Sequence, residues 1–329
     1  MEEKRVRISD IAQELGLSTA TVSNVLHGKT KKVSEETVRR VQAALEEHQY
    51  IPSMAGILLA QNTSRIIGVV VNDHEKYESH VLSDPYIASA LDCLSTQIEG
   101  AGLFMMVKKA KEPGEIIRFA SMWNLEGLVL MGFCDEDYGH LRAHMRIPFV
   151  VYDGCGATER VCNITVDNFS GGAQVGRHFG ALGHKKALCV SDNDVFLDHQ
   201  RFEGFRSDFP GEAELLLVPM EKEARLAFYR EHLERFRAVT AVFAVSDYYA
   251  LELMEFLRTQ GLRVPEDIAL AGFDDTPMAA LASLTSVRQD VSLRAKLAVE
   301  QLRALKEGGE TEDQVMLPVR LIARGSSQN

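Results

Sequence analysis

The sequence predicts an α/β protein in two parts, a small all-α unit at the N-terminus followed by a long, two-lobed, doubly wound body. Three observations carry this expectation. Ile8, Ile11, Ala12 and Leu15 recur at the spacing of one buried helical face and stop at Gly16. Ile66-Ile67-Gly68-Val69-Val70-Val71 is an unbroken apolar run, as a parallel strand covered on both faces requires. Beyond it, strand-like and helix-like segments alternate in two series of similar size.

The first unit reads residue by residue. Gly16 permits the left-handed backbone of a sharp turn, and Leu17 anchors that turn. Ser18 is an N-cap, its hydroxyl placed to accept from a free backbone N–H. Val22, Val25 and Leu26 turn a second helix into the same small core, which leaves Thr19, Ala20, Thr21, Ser23 and Asn24 outside. A third helix follows Ser34, with Val38, Val41 and Leu45 on one face. This is a helix-turn-helix, a device that sets small side chains against base edges in the DNA major groove. The plainer alternative is a helical hairpin with an N-cap.

Residues 8–28 resemble the headpiece of the lactose-repressor (LacI/GalR) family of bacterial transcription regulators. The likeness continues through Val33-Ser34-Glu35-Glu36-Thr37-Val38 and Tyr50-Ile51-Pro52-Ser53 and then along nearly the whole chain. The resemblance implies an N-terminal helix-turn-helix headpiece at 1–50, a hinge at 51–62 and a periplasmic-binding-protein-like effector domain at 63–329. It implies base readers at Thr19, Ala20 and Asn24 and phosphate contacts at Thr21, Ser23 and Ser34, beside the capping Ser18. It also implies a hinge helix that wedges Leu59 into the minor groove. Gly56 stands where Ala is usual in such hinges and costs a short helix about 1 kcal/mol. The hinge is therefore expected to need DNA and a dimer mate to fold.

Charge sharpens the reading. The 329-residue chain carries a net charge of −11. Residues 1–62 balance at eight basic and eight acidic side chains, whereas the rest holds 28 and 39. Lys29, Lys31, Lys32, Arg39 and Arg40 leave a local excess of +3 over Glu35 and Glu36. One such headpiece binds DNA weakly, so a homodimer on near-palindromic double-stranded operator DNA is expected. The five cysteines show no C-x-x-C spacing, which points to reduced thiols, no metal and no cofactor. The N-terminus has no apolar signal core and no apolar run is long enough for a membrane span, so a cytoplasmic location is expected. No C-terminal leucine heptad follows Arg324-Gly325, so a tetramer built on one is not expected.

In the body, strands are expected at 103–107, 127–131 and 149–152, with helices at 86–99 and 114–123. A second series begins near Asn163. It has strands at 165–166, 187–190, 215–218, 241–245 and 268–272 and helices at 172–182, 199–209 and 248–260. A helix at 293–306 and a strand at 319–323 close the chain. The lobes are expected at about 63–161 with 292–318, and at 162–290 with 319–326. Family signatures recur in order: Ile164 to Asn168, Gly171-Gly172, Leu182 to Lys186, Arg201 to Phe205, Gly261 to Pro265, Ala271 to Asp275 and Leu284 to Gln289.

Ligands of such lobes bind at the carboxyl ends of the strands. Arg201 offers a multi-donor fork to ligand oxygens. Asp274 and Asp153 end strands and can accept from hydroxyls. Asn72 and Asp73 follow the first strand, Ser246 sits where relatives often carry Asn, and Tyr86 offers a ring face. The family's aromatic platform after Val218 aligns with Met220 and Glu221. The acidic loop Ser191 to Asp198 disfavours anions, so a sugar-like or nucleoside effector is expected. The plainer alternative is that the carboxylates cap helices or pair with Arg.

Enzyme motifs are missing. Gly154-Cys155-Gly156 lacks the third glycine of a dinucleotide fingerprint, and no phosphate-loop or nucleophile-elbow pattern occurs. His140 and His144 have i, i+4 spacing without the Glu of a metalloprotease, which reads as a solvated helix face. A ligand-responsive repressor is the leading expectation. The rivals are a solute-binding protein and an α/β enzyme using the same cleft.

Overall fold

Three helices, α1 (Ile8–Leu15), α2 (Thr19–Leu26) and α3 (Glu35–Glu47), enclose a small core of Ile11, Ala12, Val22, Val25, Val41 and Ala44. Gly16 adopts φ 68°. Its N–H donates to the Gln13 carbonyl, and the Leu17 N–H to the Ala12 carbonyl, which closes α1. The Ser18 hydroxyl accepts from the Thr21 N–H at 3.1 Å, and that of Ser34 from the Thr37 N–H at 3.2 Å. Each cap contributes about 1 kcal/mol to a unit with little apolar surface to bury. The Arg40 guanidinium donates to the Leu15 carbonyl at 3.1 Å, so this cation ties α3 to α1.

This computed structural model describes residues 6–50, 63–133, 135–154, 161–309 and 311–328. The chain divides into two units, Met1–Ser64 and Arg65–Asn329. The hinge expected at 51–62, with Gly56 and Leu59, lies outside the described residues.

Among the described residues, the large unit contains two six-stranded sheets. The first joins β1 (Ile66–Asn72), β2 (Phe104–Ala110), β3 (Gly127–Met131), β4 (Phe149–Tyr152), β5 (Cys162–Val166) and β11 (Gln314–Leu317). Its order is β11-β5-β4-β3-β1-β2, all parallel. The second joins β6 (Lys186–Ser191), β7 (Glu212–Leu217), β8 (Ala241–Ala244), β9 (Ala269–Asp274), β10 (Thr285–Arg288) and β12 (Arg320–Ile322). Its order is β12-β10-β9-β8-β6-β7, parallel except for β12.

One expectation is corrected here. Residues 162–166 do not open the second lobe; β5 pairs with β4, with Cys162 opposite Val150, and so completes the first sheet. An apolar run carries no mark of the edge it joins, and that choice is made by the pairing partner. The chain therefore crosses after Val166 and returns after β10. It crosses again between β11 and β12.

The helices flanking the sheets are α4 (Pro85–Gly100), α5 (Pro113–Trp123), α6 (Asp135–His144), α7 (Asn168–Ala181), α8 (Phe196–Asp208), α9 (Lys222–Glu231), α10 (Leu233–Arg237), α11 (Asp247–Thr259), α12 (Pro277–Leu281) and α13 (Val291–Glu307). Helices α9, α10 and α12 were not expected from the sequence, whose apolar pattern there is too short to declare a helix. Helices α7 and α8 cross with backbones in contact. A Cβ on Gly172 would overlap the Arg201 carbonyl, and one on Gly204 the Phe169 carbonyl. The Gly171-Gly172 and Arg-x-x-Gly-Phe signatures thus have a packing reason, and this crossing fixes where Arg201 starts.

Candidate functional site

The outward face of α2 carries Thr19, Ala20 and Asn24, all exposed, with Thr21 and Ser23 half-buried. The Thr21 hydroxyl pairs with that of Ser18 at 2.8 Å, and the Thr37 hydroxyl with that of Ser34 at 2.8 Å. The capping serines are thereby committed to their own helices. Lys29, Lys31, Lys32 and Arg39 of the same unit are exposed. A row of small side chains without bulk is suited to close approach to base edges.

In the large unit, the carboxyl ends of the strands of both lobes meet around a cavity of about 170 Å³. It is lined by Tyr86, Asp153, Arg201, Ser246 and Asp274, which the sequence singled out, and also by Lys76, Asp84, Tyr152, Asp198, Tyr248, Tyr249 and Gln289. Asn72 and Asp73 are not among its lining residues. The Asn72 amide donates to the Gly132 carbonyl at 2.7 Å, and Asp73 pairs with Lys109 at 3.5 Å. Met220 and Glu221 do not reach it either, because Glu221 caps α9 by accepting from the N–H groups of Glu223 and Ala224.

Arg201 is 5 % exposed and mostly held by the protein. Its Nε donates to Asn168 Oδ1 at 2.9 Å and one terminal nitrogen to the Val245 carbonyl at 2.6 Å. Its plane stacks on Phe273 at 3.7 Å. The other terminal nitrogen makes no hydrogen bond to a described residue, so the expected fork is reduced to one available arm. Asp274 ends β9 with φ 116° and accepts from the Gln289 amide at 2.7 Å. Burial holds its carboxyl well above the usual carboxylate range, against the pull of Arg201. Burial likewise raises Asp198, opposed by Arg201, and Asp84, opposed by the N–H groups at the start of α4.

Asp153 pairs with Arg294 at 2.8 Å and accepts from the Thr165 hydroxyl at 3.2 Å. The same Arg294 donates to the Tyr86 hydroxyl at 2.7 Å and lies 4.2 Å over the Tyr152 ring. The Tyr86 ring therefore lines the cavity while its hydroxyl is spoken for. Sequence reasoning missed Arg294, because an Arg on a helix reads as solvated and its 1 % exposure is a tertiary fact. Gln289 was present in a signature but had no assigned role. Lys76, Tyr248 and Tyr249 had no local signal. The Tyr248 hydroxyl donates to the Lys76 carbonyl at 3.0 Å and thereby joins the two lobes. Three lining hydroxyls, Ser246 Oγ and the OH groups of Tyr152 and Tyr249, are buried without a hydrogen-bond partner among the described residues.

A DNA-reading helix-turn-helix and a two-lobed cleft on one chain define a transcription regulator, not an enzyme. Comparison with known proteins supports that class. Residues 7–53 match the model of bacterial regulatory proteins of the lacI family, and 177–327 match that of the periplasmic binding protein-like domain. The regulator CelR of Thermobifida fusca is 27 % identical over 97 % of this chain and 96 % of its own length. The repressor PurR of Haemophilus influenzae is 27 % identical over 97 % and 98 %. The lac repressor dimer bound to operator and the anti-inducer ONPF superposes with a TM-score of 0.84 at 23 % identity, over 99 % of this chain and all of that one. Along nearly its whole length the chain is similar to transcription regulators of the LacI family.

Proposed function

We propose that this protein is a cytoplasmic repressor, active as a homodimer on near-palindromic operator DNA, whose DNA binding is set by a neutral, hydroxyl-rich effector in the interlobe cavity. Thr19, Ala20 and Asn24 read bases, with Thr21, Ser23 and Ser34 beside phosphates and Leu59 wedged at the operator centre. The observation that carries the effector class is the set of three buried, partnerless hydroxyls, Ser246 Oγ and the OH groups of Tyr152 and Tyr249. Each orphan costs about 1–3 kcal/mol, and a polyol or nucleoside that hydrogen-bonds to them removes that cost. Burial favours the neutral form of the lining carboxyls of Asp84, Asp198 and Asp274, and Asp153 is paired with Arg294, so these groups offer hydrogen-bonding oxygens suited to ligand hydroxyls. The effector acts by binding one lobe arrangement more tightly than the other.

The test is a gel-shift titration on DNA upstream of the protein's own gene, with and without candidate sugars and nucleosides. A sequence-specific shift that moves with one of them is the expected result. Absence of any specific shift overturns the regulatory reading. Calorimetric binding of sugar phosphates alone overturns the neutral effector.

A further inference from the structure

We infer that residues 73–84 form a strap over the edge of the interlobe cavity, latched shut by the Tyr248 hydroxyl, and that the buried Arg225 is the positioning residue that keys the latch. That the strap gates an effector rests on the proposed reading of the cavity. The strap leaves the end of β1 in the first lobe and returns at α4. Lys76, Tyr77 and Asp84 line the cavity from the strap, and Tyr248 and Tyr249 line it from α11 of the second lobe. The ends of the strap are fixed. The Asp73 N–H donates to the Ala110 carbonyl at 3.0 Å, Val81 is 1 % exposed, and the Asp84 carboxyl accepts from the Tyr86 and Ile87 N–H groups at 3.0 Å.

The crown of the strap is held differently. Glu75, Glu78, Ser79 and His80 are exposed, and Glu78 and Ser79 take φ 48° and 66°, two successive left-handed residues without a glycine. Such a backbone persists only where contacts impose it. From the first lobe, the Lys109 ammonium donates to the Ser79 carbonyl at 2.6 Å. From the second, the Tyr248 hydroxyl donates to the Lys76 carbonyl at 3.0 Å, and its ring meets that of Tyr77 edge-on at 5.6 Å. This second grip breaks whenever the strap lifts. Arg225 decides where the Tyr248 proton goes. It is fully buried, holds Glu252 through two hydrogen bonds at 2.6 and 2.9 Å, and donates to the carbonyls of Pro219 and Met220. Its remaining reach is to the Tyr248 oxygen at 3.3 Å. A guanidinium only donates, so the phenol oxygen accepts from it and its single proton is left for Lys76. Glu252 lies one turn along α11 from Tyr248 and could otherwise take that proton, but it is committed to Arg225. Donation into the phenol oxygen also strengthens the bond that the phenol makes.

The experiment is limited trypsin digestion of the unliganded full chain. The cut at the Lys76–Tyr77 bond is followed by mass spectrometry, with the cut after the exposed Lys29 as internal reference. Tyr248→Phe keeps the ring against Tyr77 and removes only the donor. It is expected to speed the strap cut about three- to tenfold relative to the reference, with the melting temperature within about 2 °C of the parent. Arg225→Lys keeps the charge beside Glu252, loses the fork, and is expected to act in the same direction. If it lowers the melting temperature further, Glu252→Gln is the second keying variant and must show the same faster cut. Unchanged strap cutting in Tyr248→Phe overturns the latch. Faster cutting there without any change in the keying variants overturns the role of Arg225. Gating is read by stopped-flow tyrosine fluorescence with cellobiose, D-ribose and adenosine as probes, on Arg225→Lys, whose changed side chain is not among the described residues lining the cavity. A probe that binds is expected to enter and leave at least about threefold faster, both rates by the same factor, so that Kd is unchanged. Unchanged rates overturn the gate and leave the cavity reading intact. Failure of all three probes to bind, with the strap cut still accelerated, supports the latch and counts against the effector reading alone.

Discussion

Asp247 shows how a single buried carboxyl makes stability depend on pH. It begins α11, is 1 % exposed, and accepts from the Ser286 hydroxyl at 2.6 Å and the Thr276 N–H at 2.8 Å. Burial pushes its pKa to about 6, from an ordinary 3.8, despite those hydrogen bonds. The folded state thus keeps a proton that the unfolded chain releases near 3.8. This group's contribution is greatest below about pH 4 and is lost as the pH rises through 6. Asp247→Asn should flatten the fall in melting temperature between pH 4 and 6; an unchanged slope excludes Asp247 as its source. Strand-end position alone pointed to Asp274, Asp153 and Ser246. It also pointed to Asn72 and Asp73, which the structure turns to Gly132 and Lys109, because strand position fixes neighbourhood and not side-chain partner.

At the scale of elements, the helix-turn-helix was legible throughout, since caps, turn and apolar spacing are all local. The α7–α8 crossing was visible only as signatures. Its glycines admit backbone contact, and the contact sets Arg201 against Asn168. Gly204→Ala forces a methyl onto the Phe169 carbonyl and is expected to cost about 3 kcal/mol, read from the urea midpoint, with weaker effector binding as Arg201 shifts. Gly114→Ala on α5, where a Cβ meets open space, should instead be neutral or stabilise by up to about 1 kcal/mol. Equal behaviour of the two variants would show that helix propensity, and not the crossing, sets the loss.

At the scale of the molecule, the proposed dimer would offset a single headpiece that is feebly basic and whose Arg40 is committed to the Leu15 carbonyl. The proposed dimer should therefore bind a full palindrome at least about a hundredfold more tightly than an isolated half-site in a gel-shift titration. Equal affinities would remove the dimer from the proposal. The sequence by itself determined the helix-turn-helix, the alternation of strands and helices, and the strand ends from which a site is drawn, since each follows from spacing within a few residues. Only the tertiary structure decided that β5 completes the first sheet, that Arg294 neutralises Asp153, and that Lys76 and Tyr248 join the lobes. Those outcomes depend on which distant surfaces meet. Burial and pairing between separate segments leave no periodic mark in either segment.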